Sequence, residues 1–334
     1  MFGIAPQDLA EIRQRGARDL EALRGAKIFL TGGTGFFGKW LLAALDHADA
    51  EAKLGLRVTI LSRDPRRFLD RWPEAKNRPG WNWFEGEVAE VPILLERFDY
   101  VLHAAADTTA VSTPEEERRR TRAIVAGTER MLELARRARA RRLLYLSSGA
   151  VYGTRVAQRT GAREEDFPGA VPVMAYGVAK RQAEELCRRG DVDFVTARGF
   201  AFLGPHLPLD AHYAAGNFLR DAGRGGPIEV RGDGTALRSY LYPVDLVLWL
   251  LAILARGERR RAYNVGSDEV VSTAELARAI AAEVQPPCAV AIQSSETQGP
   301  QNIYLPNVAR ARDELGLDVT VPLREAIRRT LAFL

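Results

Sequence analysis

Short apolar runs alternate with amphipathic stretches in a regular rhythm from residue 26 onward. Ile28-Phe29-Leu30 and Val58-Thr59-Ile60-Leu61 predict strands over 26–31 and 57–62. Between them, residues 36–48 repeat apolar positions at helical spacing, which completes a βαβ unit of about 30 residues. The same reading gives strands near 81–85 and over 99–104, a long helix over 114–140, strand 142–147, helix 175–189 and strand 192–197. Strands alternating with helices predict an α/β fold whose parallel sheet is wound on both faces. After Arg198 the rhythm breaks into turn residues at Gly204-Pro205, Pro208, Gly216, Gly223 to Pro227 and Gly232-Asp233-Gly234. Helix 243–256, strand 262–265, helix 272–283 and helix 321–333 follow, and residues 5–24 read as a helical extension ahead of the first strand.

With 334 residues, 46% hydrophobic and 27% charged, the chain can bury a large α/β domain with a smaller lobe. Its longest apolar run, Val244 to Leu254, contains Asp245 and falls short of the roughly 20 residues of a membrane span, so it predicts a buried helix. Met1 to Leu20 is charged and has no secretory apolar stretch; no membrane association and a cytoplasmic location are expected. Cys187 and Cys288 are the two cysteines and have no metal-ligand spacing, so neither a disulfide nor a metal is expected. The net charge is +4, and nearly all the basic residues are arginine. In the run Glu115 to Arg120 they are interleaved with acids, which reads as a solvated helix face and argues against nucleic-acid binding.

Two segments carry candidate chemistry. Lys27 to Gly38 runs a strand into Gly32, Gly35 and Gly38, which permits a tight turn and places a helix N-terminus where a pyrophosphate can sit. The sheet is therefore expected to be of the Rossmann type. Ser147-Ser148 and then Tyr176-Gly-Val-Ala-Lys180 supply a hydroxyl, a phenol and an ammonium, the parts needed to move a proton while a nicotinamide moves a hydride. In a chain that otherwise prefers arginine, a lysine four residues after a tyrosine suggests a chemical requirement. A free tyrosine ionises at about 10 and is a poor base at neutral pH, but a shift of about two or three units makes Tyr176 competent, and Lys180 lies one helical turn along the same face.

These motifs, with His103-Ala-Ala-Ala106, Ser147 to Gly153, Gly204-Pro205, Gly232-Asp-Gly-Thr235, Arg238 and Tyr263-Asn-Val-Gly266, resemble the extended short-chain dehydrogenase/reductases of the NAD-dependent epimerase/dehydratase kind that modify nucleotide-diphosphate sugars. The resemblance implies a homodimer through helices 114–140 and 175–189, and Ser148, Tyr176 and Lys180 as catalytic residues. It implies cofactor binding at Gly32, Gly35, Phe36, Phe37, Gly38, Ser62, Arg63, Glu87, Val88, Ala104, Ala105, Ala106, Tyr176 and Lys180, and substrate binding at Ser148, Asn217 and Arg238. The expected division is an extension at 1–25, a dinucleotide domain at 26–200 and 236–266, and a smaller C-terminal substrate-binding lobe at 201–235 and 267–334.

Departures from the family pattern bear on cofactor and reaction. The second strand ends in Ser62-Arg63 where an acid usually meets the adenosine ribose, which favours NADP over NAD, although Asp64 remains within reach of a 2′-hydroxyl. Glu87 replaces an aspartate and Ala201 an asparagine. Dehydratases of the family carry an Asp-Glu pair after the catalytic hydroxyl, whereas Gly149 and Ala150 stand here, with Glu164, Glu165 and Asp166 on a nearby loop as possible substitutes. The expected activity is epimerisation through transient oxidation at carbon 4 of a nucleotide sugar, with a 4-ketoreductase next, a 4,6-dehydratase behind it, and a catalytically silent NADP sensor as the non-enzymatic alternative. His103 reads as structural, Ser147 as a strand-end polar group, and Trp81 and Trp83 as cover for core or sheet edge. His206 and His212 fit either a binding role or a solvated loop.

Overall fold

The computed structural model describes residues 1–92, 96–106, 113–153, 159–172, 174–211, 213–293 and 302–334. Strand β1 (Lys27–Thr31) is buried from Ile28 to Thr31, and a strand apolar on both faces needs cover on both. Its parallel neighbours are β2 (Arg57–Ser62) and β4 (Tyr100–His103). β3 (Trp81–Glu85) continues the sheet beyond β2, while β5 (Arg142–Ser148), β6 (Phe194–Gly199) and β9 (Ala262–Val265) continue it beyond β4. The order β3-β2-β1-β4-β5-β6-β9 makes seven parallel strands, with the direction of winding reversed between β1 and β4. In Rossmann-type sheets that reversal opens a crevice beyond the strand ends, here above the paired residues Thr31 and His103.

Alternating side chains send each strand into two separate cores. Ile28 and Leu30 pack with α3 (Phe36–Ala52) and α8 (Pro243–Arg256), whereas Phe29, Val101, Leu143 and Tyr145 pack with α5 (Pro114–Arg137) and α6 (Ala175–Arg189). α5 opens on a capping box in which the Glu116 N–H donates to Thr113 Oγ1 at 3.2 Å. α4 (Pro65–Arg71) opens on Asp64, whose carboxylate accepts from the Arg67 N–H at 2.9 Å. The apolar run of α8 is buried throughout, and Asp245 inside it accepts from the backbone N–H groups of Thr320 and Val321 at 2.8 and 3.0 Å. That carboxylate ties α8 to the approach of α11 (Leu323–Phe333).

The N-terminal extension is two helices where the periodicity predicts one: α1 (Pro6–Arg15) and α2 (Ala17–Glu21) break at Gly16. A Cβ at Gly16 would lie 2.7 Å from the Ile12 carbonyl oxygen and 3.1 Å from Leu248 of α8, so the break lets the extension bed closely on α8. Buried Asp8 accepts from Tyr242 Oη and Arg329, each at 2.7 Å, and Asp19 pairs with Arg256 at 2.6 Å.

The C-terminal elements are short: α7 (Ala214–Gly223), β7 (Ile228–Val230), β8 (Leu237–Arg238), β10 (Val271–Ser272), α9 (Thr273–Glu283), β11 (Val290–Ile292), β12 (Ile303–Tyr304) and α10 (Ala309–Leu315). β8 lies between β10 and β12, and β7 pairs with β11. Trp81 and Trp83 are half-buried on the edge strand β3, where Trp83 Nε1 donates to the Ala75 carbonyl at 3.2 Å, so they cover the edge of the sheet. No helix among the described residues is long and apolar enough to cross a membrane.

Candidate active site

Between β1 and α3 the chain turns through Gly32, which has φ +76° and lies against the loop after β4. A Cβ on Gly32 would stand 2.7 Å from Ala104 C and Ala105 N, and one on Gly38 would stand 2.2 Å from the Gly32 oxygen. Thr31 Oγ1 accepts from the Ala105 N–H at 3.1 Å and is hydrogen-bonded to His103 Nδ1 at 2.9 Å. His103 Nε2 meets Thr128 Oγ1 of α5 at 3.3 Å. Burial pushes His103 down to about 3, so it stays neutral and pegs β1, the β4 loop and α5 together. Gly35 is the N-cap of α3 and supplies no side-chain bond, and the first turn, with Phe36, Phe37 and Gly38, contains no acid. Uncapped N–H groups beside a cradle that a Cβ would fill fit a dinucleotide's pyrophosphate.

At the end of β2 Ser62 is buried and Arg63 exposed. Asp64 is committed locally: its carboxylate caps α4, and its own N–H donates to Ser62 Oγ at 3.3 Å. Glu87 is exposed, Val88 is half-buried against Gly127 of α5, and Ala104, Ala105 and Ala106 are half-buried along the crevice.

Ser148 ends β5, where its Oγ accepts from the Ala150 N–H at 3.2 Å and lies 3.4 Å from Tyr304 Oη. Tyr176 stands half-buried in the first turn of α6. Lys180, one turn on and 2% exposed, donates to the Leu146 carbonyl at 2.7 Å and lies 5.9 Å from the Tyr176 ring centroid. Burial pushes Lys180 down to about 8, against the opposing pull of Glu184. Burial also pushes the Tyr176 phenol up, as do Tyr304 and Tyr213, while a hydrogen bond with Ser148 and the charge of Arg120 pull it down. The fold thus brings Ser148, Tyr176 and Lys180 together and adds Tyr304, which the sequence reading missed. Ser147 is buried and its Oγ has no hydrogen-bond partner among the described residues.

The first position of the acid pair carried by the family's dehydratases has no room for a side chain. A Cβ on Gly149 would stand 2.6 Å from Phe200 Cε1 and 2.7 Å from Tyr304 Oη, so these two rings occupy the space that a side chain there would need. The nearby acids have partners of their own. Glu164 is buried and accepts from the Asn264 N–H at 2.7 Å, Glu165 pairs with Arg310, and Asp166 accepts from the Arg163 N–H at 2.8 Å.

Arg238 is half-buried, its guanidinium carbon 5.8 Å from the Tyr304 ring, and it donates to the carbonyls of Leu237 and Asn302 at 2.7 and 3.0 Å. No carboxylate pairs with it among the described residues, and burial lowers its pKa. Asn217 lies on α7, where its Oδ1 accepts from Arg220 at 3.3 Å. His206 corrects the expectation of a binding or solvated residue: it is hydrogen-bonded to the Phe2 carbonyl at 2.7 Å and packed edge-on against Trp72 and Phe333, because the N-terminal segment folds over it. His212 lies outside the described residues. The arginine run of α5 also needs correction: Arg118 and Arg119 are exposed, but Arg120 turns inward over the Tyr176 ring.

Among known proteins, UDP-glucuronic acid decarboxylase 4 of Arabidopsis thaliana is 28% identical over 309 residues, covering 90% of this chain and 67% of that protein. An epimerase from Methanothermobacter thermautotrophicus superposes with a TM-score of 0.80 at 23% identity, covering 96% of this chain and 95% of that one. A UDP-glucuronic acid 4-epimerase of Bacillus cereus, solved with UDP-glucuronic acid and NAD, superposes with a TM-score of 0.76 at 20% identity, covering 92% and 98%. Residues 28–266 match the NAD dependent epimerase/dehydratase family, and with most of the chain aligned on this sheet and crevice, the protein belongs to that family.

Proposed function

We propose that the protein is a nucleotide-diphosphate-sugar 4-epimerase. The observation that carries the reading is the meeting of Ser148, Tyr176 and Lys180 at one mouth of the crevice while Phe200 and Tyr304 fill the space beside Gly149. A nicotinamide dinucleotide held along Gly32 to Gly38 would supply the acceptor and donor of hydride. In that arrangement Tyr176 removes the proton from the carbon-4 hydroxyl and later returns it, and Ser148 hydrogen-bonds the reacting oxygen as charge develops on it. Lys180 sets the charge beside the phenol. Arg238 has carbonyl partners and, among the described residues, no counter-carboxylate, which suits the substrate's diphosphate, and Asn217 assists from α7. On this reading substrate lies over the proposed lobe of residues 201–235 and 267–334.

The cofactor we infer is NADP. Asp64 is occupied in capping α4, and an exposed Arg63 beside the Ser62 hydroxyl suits a 2′-phosphate. That observation also favours a second reading, an NADPH-dependent 4-ketoreductase. The relatives that act on UDP-glucuronic acid suggest UDP-linked hexoses or uronates as the first substrates to try.

The test is incubation with UDP-glucose and UDP-glucuronic acid, with products read by NMR and cofactor by absorbance. Inversion at carbon 4 without net cofactor change supports the epimerase. Stoichiometric NADPH consumption replaces it with the reductase, and release of carbon dioxide or water replaces it with a decarboxylase or dehydratase. We also propose a homodimer through α5 and α6; light scattering showing a single chain of 36.9 kDa would exclude it.

A further inference from the structure

α5 buries a stripe made by Ile124, Gly127, Thr128, Met131, Leu134 and Ala135, and position 120 continues that stripe by one turn. An arginine stands there instead of an apolar residue. Its guanidinium carbon is 5.7 Å from the Tyr176 ring centroid, as near as the Lys180 ammonium at 5.9 Å. The two cations differ in kind. Lys180 is drawn down onto the Leu146 carbonyl and lies closer to the Tyr145 ring, at 4.8 Å, than to Tyr176. A lysine's charge can be lost on burial, whereas a guanidinium keeps its charge across the working pH range.

We propose that Arg120 is a positioning residue of the active site, held by α5 over the Tyr176 ring so that its fixed positive charge favours the phenolate. The proposal rests on the reading of Tyr176 as the acid/base. Among the described residues, the groups facing the phenol include Ser148 and Tyr145 from β5, Tyr304 from β12, Tyr213 ahead of α7, Lys180 on its own helix and Arg120. The phenols and burial oppose ionisation; Ser148 and Arg120 favour it. Removing Arg120 therefore leaves Lys180 as the one remaining cation of that set.

The experiment needs no substrate. Tyr176 is replaced by trifluorotyrosine, whose fluorines bring phenol ionisation into the neutral range, and its fluorine resonance is titrated in the NADP-saturated protein. A unit charge at this separation shifts an ionisation by about half a pH unit at a dielectric of about 80 and by about two units at about 20. Arg120→Gln and Arg120→Met should both raise the midpoint by an amount in that range, and Arg120→Lys should restore most of it. Methionine keeps much of the apolar stem, so the two neutral variants separate charge from packing. A midpoint that falls, or stays within about 0.2 unit in both neutral variants, overturns the proposal. Turnover of UDP-glucose or UDP-glucuronic acid is read separately. A raised midpoint in a protein that turns over neither sugar would leave the charge pair standing and sink the epimerase reading, and turnover with an unmoved midpoint would do the reverse.

Discussion

Glu184 and Arg198 form an ion pair with side chains 2% and 0% exposed, between α6 and β6. Arg198 Nη2 and Nε donate to the two carboxylate oxygens at 2.7 and 3.0 Å, and Nη1 donates to Tyr152 Oη at 2.8 Å. Removing one partner of such a pair leaves a buried charge uncompensated, at a cost of about 3–5 kcal/mol. For 334 residues the unfolding entropy is about 0.7 kcal/mol per kelvin, so Glu184→Ala should lower Tm by about 4–7 °C. Glu184→Gln keeps one acceptor and should fall toward the low end. Calorimetry at fixed cofactor concentration reads the change, since a ligand that binds the folded state adds its own stability. The double replacement Glu184→Leu with Arg198→Met should recover most of the loss, because neither charge is then buried. If Glu184→Ala lies within about 1 °C of the parent, or the double variant is worse than the single, the argument from uncompensated charge fails. Glu184 also holds up the Lys180 ammonium, so the same substitution should push Lys180 below its value of about 8.

Arg63→Ala should weaken NADP binding at least about tenfold while changing NAD binding about twofold or less, by fluorescence titration; equal losses would dismiss a 2′-phosphate contact. Gly38→Ala forces a methyl group to 2.2 Å from the Gly32 oxygen and should weaken either cofactor at least about a hundredfold, with near-native affinity as the contrary result. His103 has its folded pKa near 3 against 6.5 unfolded, so between those values the unfolded chain binds a proton that the folded chain does not. Stability from this group is therefore present above about 6.5 and lost as pH falls toward 3, at up to about 1.4 kcal/mol per pH unit. His103→Asn should flatten urea-unfolding stability across that window, and identical pH slopes in parent and variant would refute the assignment.

Much of the seven-stranded sheet was legible because strands such as β1, β2, β4 and β5 are largely apolar and helices long enough to show a period, α3 between β1 and β2 and α5 between β4 and β5, stand between them. β8, β10 and β12 have two residues each, and no period can be read from two. The glycine turn and the Ser148, Tyr176 and Lys180 set carry local motifs. Tyr304 does not: it meets Ser148 across 156 positions, so only the folded chain brings the two hydroxyls together. Arg120 was hidden in a run of charges, although its four-residue spacing from Ile124 marks the buried face of α5. His206 was misread because its partner, Phe2, is 204 positions away.

The clasp between the first and last helices has a consequence for how the protein is made. Asp8 is synthesised 321 positions ahead of its counter-charge Arg329 on α11, and Asp19 is synthesised 237 positions ahead of Arg256 on α8. Until translation has passed Arg256, α2 lacks its salt link, and until it has passed Arg329, α1 lacks the guanidinium that meets Asp8, so β1 to β6 are all made before either helix is fully anchored. Nascent chains stalled between Arg256 and α11 should therefore leave α1 more open to protease than chains that already include Arg329.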